Sequence, residues 1–138
     1  YIGRDGCAYV ERMKLTPEMA IKTLLGIGAL PVIAHPTYSA VKASRGSVNN
    51  LRMLLAELKD VGLVGMEVYY GDYTPEQVRD LLLLAQELDL VACGGSDYHA
   101  SGNPNEPEPG TVGPPMETVE TLQSIQVERS TISQSREL

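Results

Sequence analysis

Leu63-Val64-Gly65-Met66-Glu67-Val68-Tyr69-Tyr70, then Thr74-Pro75-Glu76-Gln77, then Leu90-Val91-Ala92-Cys93-Gly94-Gly95-Ser96-Asp97 set out a strand, a helix start and a second strand in quick succession. The strands, Leu63 to Tyr69 and Leu90 to Cys93, are short and apolar and are followed by turn-forming residues, the pattern of buried parallel strands. Between them, Thr74 to Gln77 reads as a capping box with proline at the first helical position. Val78, Leu81, Leu82, Ala85 and Leu88 then recur on one helical face. Short links around such a unit predict parallel strands joined by a right-handed crossover.

The same alternation extends outward. Thr16-Pro17-Glu18 supplies a capping hydroxyl, a proline and a first-turn acid, which predicts a helix to about Ile27 with Gly28 as its stop. Leu30 to Ala34 then reads as a strand with His35 at its carboxyl end. From about Val48 to Asp60, Leu51, Leu54, Leu55 and Leu58 recur at helical spacing, and Gly62 follows. Downstream, residues 100–115 are rich in proline and glycine and long for a connection, so they are expected to border a site or to lack order. A short last helix is expected over Met116 to Ile125. Residues 126–138 read as a polar, flexible tail that frays. The fold class is α/β, with three parallel strands and crossover helices.

Bulk properties narrow the function. With 138 residues and 43% apolar content the chain is one domain in size and can form a core. No window approaches the roughly 18 apolar residues of a membrane span, and the opening residues do not read as a targeting signal. A net charge of −7 argues against nonspecific nucleic-acid binding, while a nucleotide held locally by metal ions stays compatible with it. Cys7 and Cys93 stand far apart and outside any CxxC, which predicts a reduced, cytoplasmic protein. The chain opens on Tyr1 and its first residues carry no strand or helix pattern, so a preceding segment is expected.

The two histidines each follow a short apolar run. Ligands of parallel α/β proteins bind beyond the carboxyl ends of the strands, where His35, Asp97 and His99 all fall. In an extended segment Asp97 and His99 would project to one side and address one ion together. Imidazole and carboxylate donors suit zinc, manganese or iron. Taken singly, each histidine also reads as a satisfied core or loop residue, and Asp97 as a turn cap. Glu67 places a carboxylate inside a buried strand, where it needs a cation, a donor or a proton. A structural partner and an auxiliary role beside a metal are both open. Tyr69 and Tyr70 line the mouth or pack. Lys42 and Arg45, in the polar loop after His35, are candidate phosphate contacts or solvated surface. Cys93 reads as a small buried hydrophobe. No Ser-His-Asp arrangement, nucleophile elbow, Walker motif or dinucleotide glycine motif is present.

Ala34-His35-Pro36, Gly65-Met66-Glu67-Val68-Tyr69-Tyr70 and Gly94-Gly95-Ser96-Asp97-Tyr98-His99-Ala100, in this order, resemble the later motifs of the PHP (polymerase and histidinol phosphatase) family, in particular its TrpH-type metal-dependent phosphoesterases. Ala8 to Arg12 and Leu15 to Glu18 resemble the stretch that precedes the His-Pro motif there. The resemblance implies a distorted (β/α)7 TIM-like barrel with two or three divalent metal ions (Zn, Mn or Fe) at its rim. It also implies hydrolysis of phosphoesters of the nucleotide or short-RNA class. Carried over by motif, His35, Asp97 and His99 match metal ligands, and Glu67 matches a strand position near the site with an auxiliary role.

The family's opening His-x-His motif and several further ligands have no counterpart, because His35 is the first histidine. Residues 1–125 are therefore expected to be the C-terminal half of such a domain, with the N-terminal half of the barrel as the missing partner. A chain of this kind by itself is expected to bind metal weakly and to show little hydrolysis. The alternative is a non-catalytic fragment, or a PHP-like scaffold or polymerase accessory.

Overall fold

The computed structural model describes residues 1, 3, 6–11, 13–37, 48–100, 104 and 107–134. Its elements are α1 (Pro17–Gly26), β1 (Val32–Ile33), α2 (Val48–Val61), β2 (Gly65–Tyr70), α3 (Pro75–Glu87), β3 (Val91–Gly95) and α4 (Met116–Gln134). The strands form one parallel sheet in the order β1-β2-β3, as expected of consecutive βα units.

Local chemistry fixes the helix ends. Thr16 Oγ1 accepts from the Met19 amide at 3.2 Å, with Pro17 in the first turn. At the other end the Gly28 amide donates to Leu25 and the Ala29 amide to Leu24, the paired bonds of a Schellman stop. Gly28 has φ +77°, a conformation that glycine adopts without steric cost. In α3 the full capping box forms: Gln77 N–H donates to Thr74 Oγ1 and Thr74 N–H to Gln77 Oε1.

One face of the sheet carries the core. Met66 and Val68 are fully buried, packed with Leu51, Leu55 and Leu58 of α2 and Leu81, Leu84 and Ala85 of α3. Ile21 of α1 joins this cluster. Fully burying each such side chain contributes about 1.5–3 kcal/mol, which makes this cluster the main source of the fold's stability.

The register places Gly65 against Val91, Met66 against Ala92 and Glu67 against Cys93, then Tyr69 against Gly94 and Tyr70 against Gly95. Val68 is thus an extra residue in β2, a bulge of the kind that bends a strand and re-aims the residues beyond it. The bulge brings the Tyr69 carbonyl onto Gly94, where any Cβ would overlap it. Gly94 is required by this close approach.

Three elements differ from expectation. β1 is shorter than Leu30 to Ala34, because Pro31 lacks an amide hydrogen and His35 turns the chain with φ +46°. Pro31 still accepts from the Val64 amide at 2.9 Å. β3 runs through both glycines to Gly95, two residues beyond the expected end. The last helix continues to Gln134, so residues 126–134 are helical where a frayed tail is expected.

Ser130 and Thr131 in the added turns donate to the carbonyls four residues back, as Thr121 and Ser124 do nearer the start of the helix, and tertiary anchors hold the helix to the body of the fold. Thr118 Oγ1 donates to the Ala92 carbonyl at 3.1 Å, and Gln126 Nε2 donates to the Gly28 carbonyl at 2.7 Å. Helix α4 therefore straps β3 to the link between α1 and β1. Among the described residues no helix is long and apolar enough to cross a membrane.

Candidate functional site

His35 sits where β1 ends, Glu67 lies within β2, and Asp97 and His99 follow β3. Parallel strands bring these positions to one rim. His35 Nε2 lies 3.4 Å from Asp97 Oδ2. On the other side of the same residue, the His35 main-chain N–H donates to Glu67 Oε2 at 2.8 Å. That oxygen is also 3.1 Å from His35 Nδ1. At Nδ1 the approach is close but lacks the alignment of a hydrogen bond.

Burial grades across the group. The Glu67 side chain is 12% exposed, those of His35 and Asp97 about one third, and that of His99 68%. Glu67 thus finds a structural donor in the His35 amide, one of the two roles the sequence leaves open. His35 and Asp97 both have left-handed backbone, at φ +46° and +55°. Such conformations cost about 1–3 kcal/mol for a non-glycine residue and gather at functional sites.

The extended geometry expected for Asp97 and His99 is not adopted, because the chain turns at Asp97 once β3 has ended. His99 Nδ1 lies 2.6 Å from the Asp97 main-chain carbonyl and 3.9 Å from its Oδ1. Lys42 and Arg45 lie outside the described residues. Cys93, opposite Glu67 in register, is half-buried, and burial pushes its thiol pKa up.

Aromatic rings stack edge-on along one side of His35. The Tyr70 ring meets it edge-on at 4.9 Å between centroids, and Tyr73 meets Tyr70 in the same way at 5.1 Å. Tyr73 Oη lies 3.1 Å from Thr37 Oγ1, tying the turn after β2 to the turn after β1. Tyr69 packs against the hydrophobic core instead. Sequence reasoning passes over Thr37 and Tyr73. Their signal is position alone, since both lie just past the carboxyl end of a strand. Of the long proline-rich loop, Pro107 and Val112 lie against Gly71, in the turn that follows β2.

The donors suit a divalent ion in kind, with imidazole nitrogen and carboxylate oxygen facing each other across a gap one ion can share. His35 Nε2 and Asp97 Oδ2 form the pair at the outer side of the ring, with Glu67 against Nδ1 and His99 3.9 Å from the other Asp97 oxygen. No group of three histidine, cysteine, aspartate or glutamate side chains among them is placed to hold a metal.

Fold and site together describe a parallel α/β chain with an imidazole and carboxylate cluster at its carboxyl rim, and its relatives are phosphoesterases. The chain is 30% identical over 99 residues to a 5'-3' exoribonuclease of Haemophilus influenzae, covering 72% of this chain and 34% of the relative. It is 31% identical over 100 residues to a 3',5'-nucleoside bisphosphate phosphatase of Chromobacterium violaceum, covering 72% and 33%. A phosphoribosyl 1,2-cyclic phosphate 1,2-diphosphodiesterase of Eggerthella lenta is 34% identical over 80 residues, covering 58% and 27%. The chain spans about a third of the length of these curated relatives.

Among solved structures, a protein assigned as a metal-dependent phosphoesterase from Bifidobacterium adolescentis superposes with a TM-score of 0.63 at 28% identity, over 86% of this chain and 40% of that one. An amidohydrolase from Chromobacterium violaceum superposes with a TM-score of 0.65 at 23% identity, over 90% and 42%, and shares the fold. No family model matches the chain. These relatives are consistent with the PHP-type resemblance.

Proposed function

We propose that this chain belongs to the PHP family and forms the C-terminal part of a distorted (β/α)7 barrel whose rim hydrolyses phosphoesters with divalent metal ions. The observation that carries this reading is the approach of His35 Nε2 to Asp97 Oδ2, at the carboxyl ends of strands where parallel α/β proteins place their ligands. The sequence relatives, all named for phosphoester chemistry, support the same class.

In this reading His35, Asp97 and His99 hold part of a cluster of two or three Zn, Mn or Fe ions, and the remaining donors come from outside this chain. When bound, the ions lower the pKa of water towards ~7 and polarise the phosphoryl oxygens. The chain's own residues bind and orient: His35 and Asp97 present a nitrogen and an oxygen to one ion, and His99, beside Asp97 on the exposed side, adds a further nitrogen. Lys42 and Arg45 meet the phosphate. Tyr70 walls the His35 ring on one side. The substrate class is a phosphorylated nucleotide or the phosphorylated end of a short RNA. A reducing, cytoplasmic setting completes the reading, supported by the free thiols of Cys7 and Cys93.

A non-catalytic module is the second reading, favoured by the fact that no three such side chains among the described residues are placed to hold a metal. Calorimetric titration of the chain with Mn²⁺ and Zn²⁺, alongside phosphate release from a nucleoside 3',5'-bisphosphate and a 5'-phosphorylated oligoribonucleotide, tests the two. Weak metal binding that Asp97→Asn abolishes is the expected result, with turnover once the additional donors are present in the same protein. Metal binding indifferent to Asp97→Asn would sink the assignment and leave the non-catalytic module.

A further inference from the structure

Glu67 stands apart from the other rim residues, because its oxygen Oε2 is engaged twice by one neighbour. It accepts the His35 main-chain N–H at 2.8 Å and lies 3.1 Å from the His35 ring at Nδ1. Asp97 approaches that ring at its other nitrogen, Nε2. We propose that Glu67 is a positioning residue that clamps the His35 main chain in its left-handed turn and is not itself a metal ligand. The clamp rests on the metal reading only in that Nε2 is the nitrogen it leaves facing Asp97.

Three observations converge on this role. His35 has φ +46°, which is unfavourable for any residue with a Cβ, and it precedes Pro36, whose ring further restricts the residue before it. Something must hold that conformation, and the Glu67 carboxylate takes the His35 amide hydrogen at the turn itself. Glu67 is itself rigidly placed: it sits between fully buried Met66 and Val68 in the central strand, paired with Cys93 just before the bulge. A largely buried carboxylate needs donors, and an amide hydrogen aimed at it makes a strong, charge-assisted bond. Buried Pro36 after His35 and the edge-on Tyr70 ring beside it leave the imidazole little freedom to move once the main chain is fixed. A short strand end, a carboxylate on the neighbouring strand and a left-handed turn thereby act as one device that aims Nε2.

The test separates clamping from ligation by the acceptor that each needs. Glu67→Gln keeps a carbonyl oxygen for the His35 amide but discards the charge, Glu67→Asp keeps the charge but shortens the reach, and Glu67→Ala removes both. Nitrogen-resolved NMR of the metal-free chain reads the His35 amide and ring directly, and calorimetry reads Mn²⁺ affinity. The expected result is a His35 amide shift retained in Glu67→Gln and lost in Glu67→Asp and Glu67→Ala. Affinity should fall by less than about 3-fold in Glu67→Gln and by about 10- to 100-fold in the other two, the usual cost of removing a residue that orients a ligand.

A Glu67→Gln loss as large as that of Glu67→Ala, with the His35 amide and ring resonances unmoved, would make Glu67 a ligand and overturn the proposal. If Glu67→Ala does not fold, Glu67→Asp carries the test, and an unaltered His35 amide in it overturns the clamp. If the wild-type chain binds no Mn²⁺, the metal reading fails on its own, while the amide shifts still decide the clamp.

Discussion

The imidazole Nε2 of His35 lies 3.4 Å from the Asp97 carboxylate although two βα units separate them along the chain. Each of the two residues has left-handed backbone, so each is turned towards the other by a deviation from the strand that delivers it. The rim geometry is therefore a product of how the strands end.

His35→Ala and Asp97→Asn should each lower divalent-metal affinity by at least about tenfold, whereas His99→Ala should cost less. The reason is that His99 is 68% exposed and already near the Asp97 main-chain carbonyl. Titration of the three variants with Mn²⁺ decides this. Equal losses for His35→Ala and His99→Ala would contradict it.

Gly94→Ala should destabilise the fold by about 2–4 kcal/mol, because the new Cβ overlaps the Tyr69 carbonyl and β2 cannot yield without losing its bulge. Gly95→Ala, with open space at that position, should cost under about 1 kcal/mol. Urea unfolding of the pair checks the contrast. Similar midpoints for the two would contradict the bulge.

Thr118→Val keeps the shape of the side chain but removes the bond to the Ala92 carbonyl. It should cost about 1 kcal/mol, the usual net contribution of one hydrogen bond. Hydrogen exchange should quicken along α4 and leave the amides of α2 unchanged. Quickening spread evenly over the molecule would mean that α4 is not a separable strap.

Cys93 should react with iodoacetamide more slowly than exposed Cys7 at neutral pH, since burial disfavours its thiolate. Burial also ties stability to pH at this position. The folded-state pKa is raised, so the stabilisation is complete below the ordinary thiol range near 9.0 and is lost as pH rises through it, because the unfolded chain releases its proton first. Cys93→Ala should remove this alkaline component from a plot of unfolding free energy against pH. An unchanged plot would show that another group governs it.

The local rules visible in the sequence account for most of the elements. Thr16-Pro17 and the Thr74–Gln77 box start α1 and α3 where the caps demand, and the glycines at 28 and 62 follow the helices they stop. Such signals are legible because they act over three or four residues. The last helix was not legible beyond Ile125. Its polar side chains bond to its own carbonyls, and Gln126 is anchored on Gly28 from the far end of the chain.

By itself the sequence determined a parallel βαβαβ order with His35, Asp97 and His99 at strand ends, because apolar periodicity and caps are local properties of the chain. Only the tertiary structure decided which of those groups meet. The bulge at Val68, the left-handed turns at His35 and Asp97, and the reach of Glu67 to the His35 amide are set by cross-strand register. Register is a relation between segments that hydrophobic pattern alone does not fix to the residue. That is why the strand ends are legible along the chain, while the approach of His35 to Asp97 and the outward turn of His99 are not.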